Sequence, residues 1–242
     1  MSQICIVIPC YNEASRMPFN EFDRFISENS DACFCFVNDG SLDNTLIMLN
    51  DLKSLHPDQI MIVNLNKNSG KGEAVRQGML QSLNWKSFLY TGFLDADLAT
   101  PLTEVGLMKS KFREGYNIII GSRVKRLGAT IERSIIRHYA GRVFATFASI
   151  VMHIETYDSQ CGAKLFDTRI LPVLFREPFI SKWIFDVELL IRAKRHLKMS
   201  FYEKVYEMPV SCWIAKKNSR IKLSYLMRIP IDLILIYRKY KR

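Results

Sequence analysis

Two aspartates separated by one residue stand at the end of an apolar segment. Asp95 and Asp97 directly follow residues 88–94, which have the composition of a buried strand. Carboxylates this close repel each other unless a cation or hydrogen bonds offset their charge. Because Mg²⁺ and Mn²⁺ prefer oxygen ligands and bridge to diphosphates, we expect the pair to hold one of these ions. The alternative is that they cap a helix that starts near Thr100.

Two further polar segments also follow predicted strands. Asp39 ends one strand, where a carboxylate can accept a hydrogen bond from a ribose hydroxyl or a base; its Asp, Gly, Ser and Asn neighbours also favour a turn and helix cap. Residues 66–72 combine Lys71 with glycines at a helix start, which places backbone N–H groups and a cation together and suits a phosphate. A surface loop without a ligand is the alternative for this segment.

The second half of the chain holds two polar clusters, residues 158–166 and 183–190. In the second cluster, Asp186 and Glu188 either serve a ligand or stabilise a helix start and an ion pair. The four histidines have no metal-ligand spacing and no evident Ser or Cys partner, so covalent triad chemistry is not expected.

Short apolar runs alternate with helical patterns, which is typical of strand and helix units around a mostly parallel sheet. The predicted strands are residues 4–9, 33–38, 60–65, 88–94 and 117–121, and the predicted helices are 19–29, 44–55, 72–84 and 104–114. Ligands of such sheets bind at the carboxyl ends of the strands, where these polar residues fall. For the second half we predict helices over 130–154, 184–196 and 221–241, the last kinked at Pro230, and strands over 164–166 and 201–210.

Length and composition predict one compact globular domain. The chain has 242 residues, of which 48% are hydrophobic and 24% charged, which excludes intrinsic disorder. Its longest uncharged apolar stretch, residues 143–154, is shorter than the about 20 residues of a membrane-spanning helix. We therefore expect neither a membrane span nor a signal segment. The six cysteines form no CxxC pair, so we expect a reduced, cytoplasmic protein.

The net charge of +10 is concentrated in two segments. Residues 122–142 hold six basic residues against one acid, and residues 216–242 hold nine against one. Because the positive charge is concentrated in two segments rich in apolar residues, it indicates an anionic partner: a membrane surface, a phosphate or a nucleic acid. The apolar residues of the long helix either lie among lipid headgroups or pack on the sheet. They are Ile135, Ile136, Val143, Phe144, Phe147, Ile150 and Val151.

Several motifs, taken together, resemble a known family. The segments VIPCYNE (7–13), NDGSLDNT (38–45), NKNSGKG (66–72) and LDAD (94–97) resemble the nucleotide-sugar-dependent glycosyltransferases of family 2, which have the GT-A fold. GSR (121–123), DSQCGAKLF (158–166) and WIFDVELL (183–190) resemble the dolichyl-phosphate glucosyltransferase branch. The resemblance implies a single GT-A domain over residues 1–242, with a nucleotide-sugar-binding half (1–121) and an acceptor and membrane-interface half (122–242) that contains amphipathic C-terminal helices.

The resemblance also implies roles for individual residues. The implied contacts to the UDP-sugar donor are Pro9, Tyr11, Glu13, Asp39, Lys71, Asp95 and Asp97. The implied acceptor-phosphate residues are Arg123 and, as weaker matches, Arg133 and Arg137; the implied catalytic residues are Asp97, Arg123, Asp158 and Gln160. Where mannosyl relatives have a Gln, this chain has Ala99, so the third ligand beside Asp95 and Asp97 is Gln160 or water.

The implied activity is transfer of glucose from UDP-glucose to a polyprenyl or dolichyl phosphate, with inversion, by a peripheral protein on the inner, cytoplasmic face of a membrane. Because such a phosphate has a second pKa of about 6, it is largely dianionic at neutral pH and needs no strong general base. A sugar-hydroxyl acceptor would need one, and Asp158 or Asp186 would then be the base. A nucleic-acid-binding module would explain the charge but leave Asp95 and Asp97 without a role.

Overall fold

The computed structural model describes residues 3–132, 135–216 and 223–241. Strands and helices alternate through the first half, as predicted, and each predicted strand and helix of this half is present. The elements are β1 (Ile4–Cys10), α1 (Phe19–Glu28), β2 (Ala32–Asp39), α2 (Thr45–Leu55), β3 (Ile60–Leu65), α3 (Lys71–Trp85), β4 (Tyr90–Phe93), α4 (Thr103–Ser110) and β5 (Ile118–Ser122). The pattern of apolar runs and helical spacing therefore identified this half correctly.

The second half departs from the prediction at residues 130–132 and 201–204, and it contains two short elements that were not predicted, over residues 171–175 and 212–214. Its elements are β6 (Thr130–Glu132), α5 (Ile135–Met152), β7 (Lys164–Asp167), α6 (Leu171–Phe175), α7 (Phe185–Leu197), α8 (Phe201–Lys204), β8 (Val205–Pro209), β9 (Cys212–Ile214) and α9 (Leu223–Tyr240). The prediction of a helix from Thr130 was wrong, because residues 130–132 pair in parallel with β9. The predicted strand over 201–210 begins instead with a helical turn, because the buried Phe201 packs against α7.

The central sheet has seven strands in the order β3-β2-β1-β4-β7-β5-β8. All neighbours are parallel except β7, which runs antiparallel to β4 and β5. The carboxyl ends of β1, β2 and β4 therefore meet at one edge, and β7 begins at that same edge, where Lys164 pairs in register with Phe93. This is the mostly parallel α/β architecture that the sequence predicted.

Helices cover both faces of the sheet, and β2 contributes apolar side chains to the core on each face. Cys33, Cys35 and Val37 belong to one buried cluster, whereas Phe34 and Phe36 belong to the other. Successive side chains of a strand point to opposite faces, which explains the division. None of the six cysteines forms a disulfide, and burial raises the pKa of the Cys35 thiol to about 12. Cys33 and Cys35 are therefore core-packing residues.

Helices α5 and α9 contact each other and leave apolar side chains exposed. On α5, Phe144 and Val151 pack against the core, whereas Val143, Phe147 and Ile150 are exposed. The packing hypothesis is therefore confirmed for Phe144 and Val151, and contact of the exposed side chains with lipid headgroups stays a prediction. The side chains of Ile135 and Ile136 lie outside the described residues. We call the exposed set the apolar face. Its members are Tyr139, Val143, Phe147 and Ile150 on α5 and Ile231, Ile234, Leu235 and Tyr237 on α9.

Within the described residues, no helix combines the length and the apolar character that crossing a bilayer requires.

Candidate active site

The loops that follow β1 and β2 are fastened to each other by side chains of both motifs. The backbone N–H of Asn12 donates to Ser41 Oγ (2.9 Å), and Asn12 Oδ1 accepts from the N–H of Leu42 (2.7 Å). The N–H of Glu13 donates to Thr45 Oγ1 (2.7 Å). Pro9 and Tyr11, also assigned to the donor by resemblance, are half-buried in the same segment. These bonds explain why the two motifs occur together: each holds the other in place.

Asp39 holds the glycine-containing loop. Its two carboxylate oxygens accept from the N–H groups of Ser69 (2.7 Å) and Gly70 (2.9 Å). Gly70 has φ +95°, and a β-carbon there would lie 2.7 Å from Lys182 Cβ, so only glycine fits. Burial raises the pKa of Asp39, and the two N–H bonds offset this only in part. Asp39 thus positions residues 66–72, and its contact with uridine stays a prediction.

Lys71 begins α3 and forms an ion pair with Asp95. The first turn of α3 is fixed by the N–H of Gly72, which donates to the carbonyl of Lys182 (3.0 Å). Burial on its own would lower the pKa of Lys71, but the charges of Asp95 and Asp186 outweigh it and raise the pKa. The structure therefore places a protonated lysine beside the first of the two paired aspartates.

Asp97 faces a second cation. Arg16 lies 3.4 Å from Asp97 Oδ2 and 3.4 Å from Glu13 Oε1, so it joins the first motif to the fourth. The turn that carries Asp97 is tight: Ala99 N donates to Asp97 Oδ1 (3.1 Å), and Leu98 has φ +49°, rare for a residue with a side chain. Burial, and after it the charge of Asp95, raise the pKa of Asp97.

This donor set fits a hard divalent ion. Both carboxylates belong to one turn, and burial together with the charge of Asp95 raises the pKa of Asp97 despite the nearby Arg16 and Lys71. A further cation at this turn would therefore stabilise the charged form of the pair. In the part of the chain that the structure describes, no group of three His, Cys, Asp or Glu side chains could hold a metal. Two protein carboxylates are enough for Mg²⁺ when phosphate and water complete the shell.

Gln160, the predicted third ligand, lies in the loop before β7. Its N–H donates to Asp158 Oδ1 (3.2 Å), and its side-chain Nε2 is buried without a partner among the described residues. Two residues on, Gly162 lies against Asp95: a β-carbon there would stand 2.0 Å from Asp95 Oδ2. The loop therefore closes over the paired aspartates, and the choice between Gln160 and water as ligand stays open.

Arg123 and Asp158 form a two-pronged ion pair at the end of β5. Nε donates to Oδ2 (2.6 Å) and Nη2 to Oδ1 (2.8 Å), and the N–H of Arg123 also donates to Oδ2 (3.1 Å). Burial alone would raise the pKa of Asp158, but the charge and hydrogen bonds of Arg123 lower it to about 2. A carboxylate of this acidity is a poor proton acceptor near neutral pH.

Asp186, the other conceivable base, is buried in an ion pair with Lys164. Lys164 Nζ donates to Asp186 Oδ1 (2.6 Å) and to the carbonyl of Cys161 (2.7 Å), and burial raises the pKa of Asp186. Glu188 is structural: it accepts from Ile180 N (2.7 Å), Arg192 Nη2 (2.9 Å) and Tyr240 Oη (2.7 Å). Burial opposes ionisation of Glu188, yet these bonds lower its pKa.

The side chains of two predicted acceptor residues lie outside the part of the chain that the structure describes. Arg133 lies outside the described residues, and Arg137 lies on α5 with its side chain outside them. Arg16, Lys164 and Trp213 were missed. Arg16 follows Glu13 at helical spacing, and Lys164 interrupts an apolar strand, so both left a signal in the sequence. Trp213 left none, because its partner Arg123 is distant in the chain.

The residues described above define an α/β protein of the nucleotide-binding type, whose carboxyl edge carries a glycine loop, paired carboxylates and a fixed arginine. The chain belongs to glycosyl transferase family 2, since the model of that family matches residues 5–180. The family resemblance of the sequence is thereby confirmed, and the protein is a family 2 glycosyltransferase.

Curated relatives narrow the branch. A dolichyl-phosphate beta-glucosyltransferase of Trichomonas vaginalis is 33% identical over 244 residues, which cover 95% of this chain and 69% of the relative. The dolichyl-phosphate beta-glucosyltransferase of Saccharomyces cerevisiae is 32% identical over 259 residues (98% and 75%), and that of Homo sapiens 31% over 215 residues (79% and 63%).

Solved structures confirm the fold. Glucosyl-3-phosphoglycerate synthase of Mycobacterium tuberculosis, in complex with Mn²⁺, UDP and glucosyl-3-phosphoglycerate, has a TM-score of 0.71 at 17% identity and covers 99% of this chain and 80% of that one. The same enzyme with Mg²⁺ and UDP has a TM-score of 0.70 at 16% identity (99% and 79%). At this identity the likeness concerns the GT-A fold.

Proposed function

We propose that this protein transfers glucose from UDP-glucose to the phosphate of a dolichyl or polyprenyl lipid, with inversion. The observation that carries the proposal is the state of the two candidate bases. Asp158 is engaged by Arg123 at a pKa of about 2, and Asp186 is buried against Lys164. A phosphate acceptor needs no base, because its attacking oxygen is already ionised at neutral pH. The curated relatives act, by their names, on the same lipid class.

On the donor side, Pro9, Tyr11, Glu13 and the loop held by Asp39 contact the nucleotide in this proposal. Asp95 and Asp97, with Gln160 or water, hold Mg²⁺ or Mn²⁺. A divalent ion there supplies positive charge against the charge that develops on the leaving diphosphate. Lys71, at the start of α3, adds a cation and a helix N-terminus on the same side.

On the acceptor side, Arg123 faces the incoming phosphate. Its Nε and Nη2 are engaged by Asp158, and Nη1 makes no hydrogen bond to any residue that the structure describes. Burial alone would lower the pKa of Arg123, but the charge of Asp158 and, to a smaller extent, that of Asp95 raise it. The contribution of Asp95 indicates that the acceptor cation lies near the donor site. We assign Asp158 to holding Arg123 rather than to proton transfer. Arg133 and Arg137 are further acceptor residues in this proposal.

The lipid substrate also explains the apolar face. It consists of residues on α5 and α9, which contact each other; Arg228 and Arg238 of α9 and Lys241 just after it are exposed as well. Apolar area flanked by basic side chains is typical of proteins that bind an anionic membrane surface. We therefore place the protein peripherally, with this face on the cytoplasmic surface of the membrane and residues 1–242 acting as a single GT-A domain.

Transfer can be measured with the purified protein, radiolabelled UDP-glucose or GDP-mannose, MgCl₂ or MnCl₂, and a short polyprenyl phosphate, sugar hydroxyls being offered as competing acceptors. We expect glucosyl polyprenyl phosphate as the product, with loss of activity in EDTA. Transfer to a sugar hydroxyl and none to polyprenyl phosphate would contradict the acceptor while leaving the donor site intact. Salt-sensitive binding of DNA without binding of a nucleotide sugar would instead support the nucleic-acid hypothesis.

A further inference from the structure

The guanidinium of Arg123 is held from two directions. One edge pairs with Asp158 through Nε (2.6 Å) and Nη2 (2.8 Å). Its carbon Cζ lies over the indole of Trp213, 5.3 Å from the ring centroid. A carboxylate that accepts two N–H bonds fixes the orientation of a guanidinium, and contact with an aromatic ring restricts its movement towards that ring. Together they leave Nη1 as the edge that can meet a ligand.

Asp158 is in turn fixed by Glu207 of β8. Glu207 Oε1 accepts from the N–H of Asp158 (2.7 Å), and Oε2 accepts from Tyr157 N (2.8 Å) and Thr156 Oγ1 (3.1 Å). One carboxylate thus binds three consecutive residues of the loop. Because Glu207 pairs in register with Ile120 on β5, it ties this loop to the strand that ends next to Arg123.

Trp213 is fixed just as firmly, although it lies on a strand of three residues. Glu104 Oε1 accepts from the N–H groups of Ser211 (3.0 Å) and Cys212 (3.2 Å). On the other side, Ile214 N donates to the carbonyl of Ala99 (2.9 Å), two residues beyond Asp97. The strand that carries Trp213 is therefore anchored to the turn of the paired aspartates, and its indole contacts Arg123.

We propose that Glu207 and Trp213 are positioning residues for the acceptor phosphate: Glu207 holds Asp158, Trp213 supports the guanidinium face, and together they direct Arg123 Nη1 at the phosphate. The inference rests on the proposed function, because it takes Arg123 as the acceptor cation. Neither side chain touches the reacting atoms. Their effect is expected in the KM of the acceptor, with the KM of UDP-glucose unchanged.

The test uses Trp213→Leu, Trp213→Phe and Glu207→Gln, each alone and combined with Arg123→Ala. In Glu207→Gln, an amide NH₂ replaces one accepting oxygen, so at least one loop N–H loses its partner. With a short polyprenyl phosphate, we expect Trp213→Leu and Glu207→Gln to raise the acceptor KM about threefold to tenfold, the range of one cation–π or hydrogen-bond contribution. Trp213→Phe should lie between Trp213→Leu and the parent.

The combined variants decide the mechanism. If both residues act through Arg123, neither change raises the acceptor KM further once Arg123 is alanine, because the interaction is already lost. Independent, multiplicative increases in the Arg123→Ala background would overturn the inference. So would an unchanged acceptor KM in the three single variants when the parent enzyme transfers to polyprenyl phosphate. A parent enzyme without that transfer would contradict the proposed function itself.

Matched controls separate positioning from folding. Trp85 also lies under a cation, Lys86, at 5.2 Å, but it ends α3 at the opposite edge of the sheet. Glu203 is an exposed carboxylate on α8, a few residues before Glu207. We expect Trp85→Leu and Glu203→Gln to leave both KM values unchanged. If Trp85→Leu raised the acceptor KM as much as Trp213→Leu at a similar Tm, the effect would be general destabilisation and the positioning role would be wrong.

Discussion

Gly162 lies against the carboxylate of Asp95 so closely that a β-carbon at residue 162 would stand 2.0 Å from Oδ2 and 2.5 Å from Cγ. The contact joins the loop before β7 to the turn after β4, two segments far apart in the chain. Nothing in this geometry depends on a positive φ at Gly162; the requirement is space. Asp95 can therefore occupy its position only because residue 162, on the loop before β7, has no side chain.

Gly162→Ala should reduce transfer about 100-fold, because Asp95 or the loop must shift by the order of an ångström at a site whose geometry matters. The measurement is the transfer rate together with Tm. Gly106→Ala is the matched control: Gly106 lies on α4 with nothing within 4 Å of the added carbon, and alanine favours a helix. Equal transfer rates in the two variants would contradict a functional role for the close contact.

Asp95→Asn and Asp97→Asn should each abolish transfer while Tm stays within a few degrees of the parent, because each removes charge that the ion and diphosphate need. The assay is glucosyl transfer at increasing concentrations of MgCl₂ or MnCl₂. Asp51→Asn, at an exposed position on α2, should behave as the parent enzyme. The metal site would be wrong if activity persisted in EDTA or if both variants remained fully active.

The sequence predicted the elements whose signals are local. The apolar run of β2 and the glycine loop before α3 were visible in the sequence, since a buried strand and a helix start are encoded by neighbouring residues. The failures at β6 and α8 have one cause: a short segment takes the structure that a distant partner imposes, β9 for β6 and α7 for α8.

The site residues, too, could be predicted where the signal is local and could not where it depends on a distant partner. The paired aspartates and Lys71 could be predicted, because their spacing and strand ends are features of the sequence. What Asp158 does could not, because its acidity depends on Arg123, which lies 35 residues earlier. The structural role of Glu188 likewise depends on its hydrogen bond from Tyr240 Oη, a residue 52 positions later in the chain. A carboxylate's role depends on its partner, and long-range partners leave no periodic pattern.

Acid should weaken the fold through Asp158. Its pKa is about 2 in the folded chain against 3.8 as the ordinary value, so its stabilising contribution is present above about pH 4 and is lost as the pH falls towards 2. The linked free energy is about 2 kcal/mol. Urea unfolding of the parent and of Asp158→Asn should give a stability difference that shrinks by about this amount between pH 5 and pH 2. A difference independent of pH would contradict the ion pair.

Membrane binding should depend on the apolar face. Val143→Glu combined with Phe147→Glu should lower vesicle binding at least about tenfold. The two apolar side chains, which are exposed in the free protein, would no longer be buried in the membrane, and each substitution adds a negative charge. Leu55→Glu with Leu107→Glu, also exposed but on α2 and α4, is the control and should bind as the parent. Binding should rise with anionic lipid and fall with salt, as each basic residue near the surface contributes about 1 kcal/mol. Equal loss in both double variants would contradict the assigned face.

The nature of the acceptor decides which charged residue is indispensable. With a polyprenyl phosphate, Arg123→Ala should raise the acceptor KM or lower kcat while UDP binding stays unchanged, because the lost cation faces the phosphate. Asp158→Asn should retain measurable transfer with a raised acceptor KM, since it frees Arg123 to rotate, and Asp186→Asn should retain transfer because a dianionic oxygen needs no proton removed.

With a sugar hydroxyl as acceptor the order reverses. One of the two carboxylates must then accept the hydroxyl proton, so its asparagine variant is inactive and Arg123→Ala is nearly normal. Tm measurements in parallel exclude unfolding in Asp186→Asn, which keeps an amide oxygen to accept from Lys164. The two acceptors therefore predict opposite orders of activity for the three variants Arg123→Ala, Asp158→Asn and Asp186→Asn. A phosphate acceptor requires a fixed cation, whereas a hydroxyl acceptor requires a base.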